Sequence, residues 1–274
     1  MEVVMTIAGS DSGGGAGIQA DLKTFQELGV FGTSVITALT AQNTLGVSGI
    51  FPASPEFVRQ QLETVLEDLP VRAVKTGMLF SAEIIRAVAN VLQAQSIQLV
   101  VDPVMIAKGG ASLLQEDAVK ALKDDLLPLA AVITPNLPEA EVLSGMRIQT
   151  AEHIEEAARR ILSLGTACLV MKGGHWSDSH IAADRVYFAD GRSFMMQSRR
   201  IQTRHTHGTG CTFSAALTAC LGQGIDTKKS IITAKKYVQL AIEHSLELGH
   251  GHGPTNHFAY RRYHGESEVT VIEA

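Results

Sequence analysis

The sequence predicts an α/β fold in which helices cover both faces of a mostly parallel sheet. Short apolar runs rich in β-branched residues alternate along the chain with amphipathic segments of helical spacing. Several of these runs are apolar at nearly every position, which is typical of strands covered on both faces. One stretch breaks the alternation, because two strand-like segments flank Asp190-Gly191, a two-residue hairpin signal.

The individual elements follow from these patterns. Six segments are predicted to be strands of the sheet, at residues 3–8, 33–39, 73–75, 98–101, 131–134 and 168–172. Apolar residues recur at helical spacing over residues 58–69, 154–162 and 231–242. Ser54 is expected to cap the first of these helices, with Pro55 at its first position. Residues 184–188 and 193–196 are predicted to form a small antiparallel hairpin at the edge of the sheet.

Composition argues against several function classes. The 274 residues carry a net charge of −5 and no long run of Lys or Arg, which argues against nucleic-acid binding. No apolar stretch is long enough for a membrane span, and the three cysteines show neither a disulfide nor a zinc pattern. We therefore expect a cytoplasmic protein with reduced thiols and a single domain over residues 1–274. The tail after about His264 is expected to be poorly ordered.

Polar residues follow several of the predicted strands, where ligands bind in open α/β sheets. Asp102, Asn136 and Lys172-Gly173-Gly174 each come at such a strand end. If these residues lie at one edge of the sheet, their side chains would suit a polyphosphate ligand with a bound metal ion. Each also has a structural interpretation: Asn136 with Glu139 forms a helix capping box, Asp102 starts a turn, and Lys172 is a solvated strand end. The functional interpretation depends on their common edge.

A first glycine-rich loop, Gly9 to Gly17, joins the first strand to a helix. Its spacing fails the P-loop pattern, because Gly15-Ala16 stand where Lys-Ser/Thr is needed, and Ile18 breaks the dinucleotide fingerprint. A flexible turn is one interpretation. Five glycines within nine residues at a strand end favour the other, which is close approach of the backbone to a small ligand.

A second loop, Thr206 to Phe213, is rich in small residues and runs into a predicted helix. Backbone N–H groups at a helix start, with the helix dipole, favour an anion, so Gly208 and Gly210 are candidates for an anion hole. Cys211 would lie in the first turn, where the pKa of a thiol is lowered. A plain turn with a buried thiol is the structural alternative, and it suits Cys168 and Cys220.

Many of these segments, taken in order, resemble the hydroxymethylpyrimidine/phosphomethylpyrimidine kinases over nearly the whole chain. The segments that carry the resemblance are Thr6-Ile7-Ala8-Gly9-Ser10-Asp11, Gly14 to Asp21, Thr37 to Thr44, Lys75-Thr76-Gly77-Met78, Asp102-Pro103-Val104-Met105, Thr134 to Ala140, Met171 to Gly174, His207 to Thr212 and Gly253 to His257. The resemblance implies a ribokinase-like three-layer α/β/α fold. It implies phosphorylation of 4-amino-5-hydroxymethyl-2-methylpyrimidine, then of its monophosphate, by ATP with Mg²⁺ in thiamine biosynthesis.

The resemblance also implies roles for individual residues. Hydrogen bonds to the pyrimidine are implied for Gly9, Asp21 and Gln42. The apolar walls of its pocket would be Ala16, Met78 and Val104, with Thr40 where relatives often carry Val. Positions near ATP and Mg²⁺, without direct metal ligation, are implied for Asp102, Asn136, Glu139, Lys172 and Thr209. The catalytic set would be Lys172, Gly208, Gly210 and Cys211, with Cys211 accepting or orienting the substrate hydroxyl proton.

Two other functions stay open at this point. A pyridoxal kinase shares the chemistry, although Gln42 favours the pyrimidine, and a vitamin- or nucleotide-binding sensor would not need Lys172 together with Cys211. The histidines at 250, 252 and 257 lack the regular spacing of metal sites. The expected partners are small molecules and a second copy of the chain, with neither nucleic acid nor a membrane.

Overall fold

A computed structural model describes residues 1–105, 116–173 and 180–273; Gly174 therefore lies outside the described residues. Within these ranges ten strands form one sheet. Their bounds are β1 Val3–Asp11, β2 Phe31–Asn43, β3 Gly46–Pro52, β4 Val71–Thr76, β5 Gln98–Val101, β6 Val132–Ile133, β7 Cys168–Lys172, β8 Ile181–Phe188, β9 Ser193–Arg199 and β10 Val269–Glu273.

The strand order is β10-β9-β8-β7-β6-β5-β4-β1-β2-β3. The six strands from β7 to β2 pair in parallel, so their carboxyl ends meet at one edge of the sheet. At the two sides of the sheet the pairing is antiparallel, through β8, β9 and β10 on one side and β3 on the other. The predicted mostly parallel sheet and its edge hairpin are confirmed.

Helices cover both faces of the sheet. The helices of the described ranges are α1 Gly17–Glu27, α2 Pro55–Asp68, α3 Ala82–Leu92, α4 Glu116–Ala121, α5 Leu137–Ser144, α6 Ala151–Leu162, α7 Thr209–Gly222, α8 Thr227–Glu243 and α9 Ala259–Arg262. Helices α2 to α6 share one buried apolar cluster with Val3, Met5 and Ile7, whereas α1, α7 and α8 share a second with Val4. Alternate residues of β1 therefore face opposite helical layers, which confirms the three-layer arrangement.

Local signals explain where several helices begin. The Ser54 hydroxyl accepts a hydrogen bond from the Phe57 amide at 3.2 Å, with Pro55 at the first position of α2, as predicted. Asn136 and Glu139 form a reciprocal capping box at the start of α5. Among the described residues, no helix is both long and apolar enough to cross a membrane.

Two strands differ from the expectations. Residues 269–273 form β10 on the edge of β9 and do not belong to a poorly ordered tail, because their alternate side chains Val269 and Val271 pack against the second apolar cluster. Strand β3 extends the sheet beyond β2, where no strand was predicted. Its residues are mostly exposed, so the burial that gives strands their apolar pattern is missing there.

Candidate active site

A cavity of about 670 Å³ opens at the carboxyl edge of the parallel strands. Every predicted site residue except Asp21 lies on its wall. The strands explain this convergence, because β1, β4, β5 and β7 belong to the run of parallel strands whose carboxyl ends meet at this edge. They bring Gly9, Met78, Asp102 and Lys172 to one space although these residues are far apart in sequence.

The first glycine-rich loop closes around a carboxylate of the protein itself. Asp11 Oδ1 accepts a hydrogen bond from the Gly13 amide at 2.8 Å, and Oδ2 accepts from the amides of Gly15 and Ala16 at 3.0 and 2.8 Å. Burial opposes ionisation of Asp11, but hydrogen bonds from His207 and from these amides lower its pKa. The loop is therefore ordered by an internal anion and does not offer these amides to a ligand.

The cavity wall carries the residues predicted to bind the acceptor. Gly9, Ala16, Thr40, Gln42, Met78 and Val104 all lie on this wall. The Thr40 hydroxyl donates to the Ser10 carbonyl at 2.8 Å, which fixes its side chain. The Gly9 backbone approaches the Met78 side chain so closely that a Cβ at residue 9 would overlap the Met78 methyl group. Apolar walls with one amide suit a small heterocycle.

Asp21, which the resemblance assigns to the pyrimidine, is not among the residues of this wall. Its side chain is fully buried in α1, where Oδ1 pairs with Lys75 Nζ at 2.8 Å and Oδ2 accepts from the Thr6 hydroxyl at 2.6 Å. Burial disfavours the Lys75 ammonium, but Asp21, Cys211 and Asp102 together outweigh it and raise the pKa of Lys75. Asp21 therefore holds a buried cation in place beneath the site.

The start of α7 lies on the cavity wall. Gly208 precedes the helix with φ of 84°, and a Cβ there would overlap the carbonyl oxygen of Gly15. Only glycine fits this close crossing of the two loops. The first helical hydrogen bond runs from the Thr212 amide to the Gly208 carbonyl, so the amides of Gly210 and Cys211 lie in the first turn before it. This is the geometry of an anion site at a helix start.

The thiol of Cys211 differs from the expectation. Burial raises the pKa of Cys211 to about 11, although Lys75 and the Gly17 amide act in the opposite direction. The predicted lowering by the helix start is wrong, because removal of the thiolate from water outweighs the dipole. Cys211 is a neutral thiol at neutral pH, and it can donate or orient a hydrogen bond without being a preformed base.

Lys172 lies beside two carboxylates, close to the first turn of α7. Its Nζ is 3.2 Å from Asp102 Oδ1, with only 18% of the Lys172 side chain and 3% of the Asp102 side chain exposed. Burial opposes the Lys172 charge, but Asp102 and Glu139 raise its pKa. The interpretation of Lys172 as a solvated strand end is wrong. Asn136 caps α5, as its structural interpretation predicted, and its side chain also lines the cavity.

Glu139 is a buried carboxylate on the cavity wall, and its pKa is raised. Burial raises its pKa to about 7, while Lys172 and the Asn136 amide favour the charged form. The Glu139 carboxylate also accepts a hydrogen bond from the Asn136 amide at 2.9 Å. A cation entering next to Glu139 would therefore stabilise its ionised form. Thr209, at the first position of α7, is on the same cavity wall.

Three charged or titratable residues at or beneath the cavity were not singled out from the sequence. His207 and Asp11 form a pair at 2.8 Å across the two glycine-rich loops, and Lys75 is the buried cation near Cys211. Asp11 and His207 were part of the quoted motifs, but 196 positions separate them. No local spacing predicts such a contact.

Comparison with known proteins gives a consistent result. A family model described as phosphomethylpyrimidine kinase matches residues 11–256. A hydroxymethylpyrimidine/phosphomethylpyrimidine kinase from Haemophilus influenzae is 56% identical over 262 residues, which cover 94% of this chain and 97% of that protein. The thiamine biosynthesis bifunctional protein ThiED from Geobacter sulfurreducens is 53% identical over 257 residues, covering 93% of this chain and 52% of that protein.

A solved structure resembles the fold closely. The pyridoxal kinase from Staphylococcus aureus in complex with AMP-PCP and pyridoxal superimposes with a TM-score of 0.91 at 37% identity. The match covers 100% of this chain and 99% of that one. Both the three layers and the edge strands of the sheet are thus shared with a protein of known structure.

Proposed function

The chain belongs to the phosphomethylpyrimidine kinase family, and on that premise we propose that it phosphorylates 4-amino-5-hydroxymethyl-2-methylpyrimidine with ATP. The monophosphate then receives a second phosphoryl group, which gives the diphosphate used in thiamine biosynthesis. One observation carries the proposal: the residues around Gln42 and the helix start at Cys211 share one cavity. Acceptor and phosphoryl donor can therefore be held together in one space.

The donor side of the proposal depends on positive charge. Lys172 and the first-turn amides of α7 would bind the transferring phosphate, since phosphoryl transfer needs positioning and charge neutralisation more than covalent chemistry. The apolar side chains of Ile201, Val238 and Ile242 line the same cavity and suit a flat nucleobase. Both groups line the same cavity, which supports a single donor site.

The donor side also fits Mg²⁺ held largely by phosphate oxygens. Mg²⁺ commonly binds one or two carboxylates together with substrate phosphates and water, and Asp102 and Glu139 supply two carboxylates near Lys172. Across the ranges that the structure describes, no group of three or more His, Cys, Asp or Glu residues could hold a metal ion. When bound, Mg²⁺ would neutralise charge that develops on the phosphates.

Turnover of MgATP against a panel of acceptors tests the proposed function. The panel is hydroxymethylpyrimidine, its monophosphate and pyridoxal, with phosphorylated product and ADP measured separately. We expect product from the first two acceptors. Pyridoxal kinase activity is the second candidate, favoured by the likeness to the Staphylococcus aureus enzyme. Product from pyridoxal alone would establish it in place of the first, and ADP without any product would refute both.

The role of Gln42 gives a prediction on substrate choice. Gln42→Met keeps roughly the same volume and removes an amide that can both donate to a ring nitrogen and accept from an amine. We expect a loss of about 2–3 kcal/mol in kcat/KM for hydroxymethylpyrimidine, with a smaller loss for pyridoxal. Gln26→Met on the exposed face of α1 is the matched control. An equal fall for both acceptors would contradict the assignment of Gln42 to the pyrimidine.

The neutral thiol of Cys211 gives a prediction on catalysis. Cys211→Ala is expected to lower kcat by about 100-fold with little change in KM for ATP, because the thiol assists proton movement from the acceptor hydroxyl. Cys220→Ala, which removes a buried thiol from the same helix, is the control and should retain turnover. Near-complete activity of the Cys211 variant would assign the residue a structural role.

We also propose that the protein is a cytoplasmic homodimer. The support for a dimer is a set of large apolar side chains exposed on the β2–β3 hairpin, namely Leu39, Leu45, Ile50 and Phe51. The support for the compartment is that Cys168, Cys211 and Cys220 are free thiols. Sedimentation velocity measures the assembly state, and a purely monomeric species at micromolar concentration would contradict the dimer.

A further inference from the structure

His207 lies on the cavity wall, and both its ring and its backbone make contacts that hold it in place. Its Nε2 lies 2.8 Å from Asp11 Oδ2, and 13% of the His207 side chain is exposed. A carboxylate that accepts from three amides is ionised and can only accept, so His207 Nε2 carries the hydrogen and donates it. The tautomer of this ring is therefore set by Asp11.

The backbone of His207 is fixed as well. Its amide donates to the Gly253 carbonyl at 3.0 Å, and its carbonyl accepts from the Thr255 amide at 3.2 Å. On the other side the ring packs against Gly15, where a Cβ would come within 2.7 Å of His207 Cδ2. The ring therefore has little freedom to turn away from the cavity.

The amide of Gln42 lies between His207 and Thr40. Gln42 Nε2 is 3.3 Å from His207 Nε2, and Gln42 Oε1 is 3.3 Å from Thr40 Oγ1. Thr40 already gives its hydroxyl hydrogen to the Ser10 carbonyl at 2.8 Å, so its oxygen presents a lone pair to Gln42. His207 presents a hydrogen that it shares with Asp11. Rotating the Gln42 amide by half a turn puts its oxygen next to His207 Nε2 and its NH₂ next to Thr40 Oγ1. In that orientation the His207 hydrogen has an acceptor and the Thr40 lone pair has a donor.

We propose that His207, held by Asp11, is a positioning residue that fixes the Gln42 amide in one of its two orientations and thereby sets acceptor specificity. With the Gln42 amide fixed, its remaining N–H and its remaining lone pair face the substrate that accepts the phosphoryl group, each at a fixed position. An acceptor edge with complementary groups at those positions is then favoured, and one without them leaves the amide unpaired. The inference rests on the proposed function, because it acts through the contact of Gln42 with the pyrimidine.

The test is a double-mutant cycle read as a specificity ratio, kcat/KM for hydroxymethylpyrimidine divided by kcat/KM for pyridoxal. The four proteins are the wild type, His207→Leu, Gln42→Met and the double variant. We expect His207→Leu to lower the ratio by about tenfold, roughly the contribution of one hydrogen bond. In the Gln42→Met background the same change should alter the ratio by less than about twofold, because the group it orients is gone.

Two further variants separate orientation from general damage. His207→Gln keeps a side-chain donor for Asp11 and should restore the ratio to within about threefold of wild type. His250→Leu, at an exposed histidine, should leave the ratio unchanged. If His207→Leu does not fold, as judged by thermal unfolding, His207→Asn replaces it in the cycle, since this polar side chain is too short to reach Asp11.

The possible outcomes are distinct. An unchanged ratio, or an equal fall in both Gln42 backgrounds, would overturn the positioning role while leaving the proposed function intact. A wild-type protein that phosphorylates neither acceptor would refute the proposed function, and this inference with it. A lower ratio that depends on Gln42 and is restored by His207→Gln supports the inference.

Discussion

We expect Lys172→Ala to lower kcat by about 1,000-fold, because it removes a fixed positive charge beside the transferring phosphoryl group. The Lys172 ammonium is 3.2 Å from Asp102, and Asp102 and Glu139 raise its pKa despite burial, so it is charged throughout the neutral range. Steady-state kinetics at saturating ATP and acceptor measure the loss. KM for ATP should rise as well, since the ground-state phosphate also contacts this charge.

Matched variants separate the charge of Lys172 from its packing. Lys172→Arg keeps the charge but changes its geometry, and we expect it to retain more activity than the alanine variant. Lys120→Ala removes an exposed lysine and should have little effect. Thermal unfolding is needed alongside, because Asp102 becomes a buried carboxylate without its partner. Loss of stability with full activity in the surviving folded protein would contradict the role in transfer.

Asp21→Ala is expected to lower the free energy of unfolding by about 3–5 kcal/mol, because it leaves the Lys75 ammonium buried without its partner. Both side chains of this pair are inaccessible to solvent, and their atoms are 2.8 Å apart. Urea unfolding followed by circular dichroism measures the change. Glu63→Ala, which breaks an exposed pair with Arg59, should change stability little.

A second variant tests the cause of that loss. Replacing both partners by apolar residues, Asp21→Leu with Lys75→Met, removes the unpaired charge and should recover a large part of the stability. Recovery of folding without recovery of turnover would then show that Lys75 matters for the site above it. A double variant as unstable as Asp21→Ala would show that packing, and not the charge, causes the loss.

Much of the fold could be predicted because its signals are local. The apolar runs predicted the parallel strands, and Asp190-Gly191 predicted the hairpin between β8 and β9. Strand β3 was missed because both its faces are largely exposed, so its sequence lacks alternation. Strand β10 was missed because the residues before it are polar and its pairing partner β9 is distant in sequence, so no local signal marks the contact of Val269 and Val271 with the core.

The site was less predictable, because its chemistry depends on burial and on distant contacts. The resemblance to known kinases singled out residues such as Gln42 and Lys172, which lie on the cavity wall. No sequence pattern shows that the Asp21 side chain is buried in the core. Helix position alone predicts a low pKa for Cys211, whereas desolvation in the folded chain raises it. The Asp11–His207 pair joins residues 196 positions apart and exists only in the folded state.

The carboxylate of Asp11 has a consequence for inhibitor design. It permanently occupies the amides of the first glycine-rich loop, so a phosphate or sulfonate aimed there would have to displace a side chain bound by three amides and an imidazole. The first turn of α7 differs, because the carboxylate beside Gly210 is that of Asp102, which is paired with Lys172. A compound with one anionic group should direct it to α7 and present a neutral face to the glycine loop.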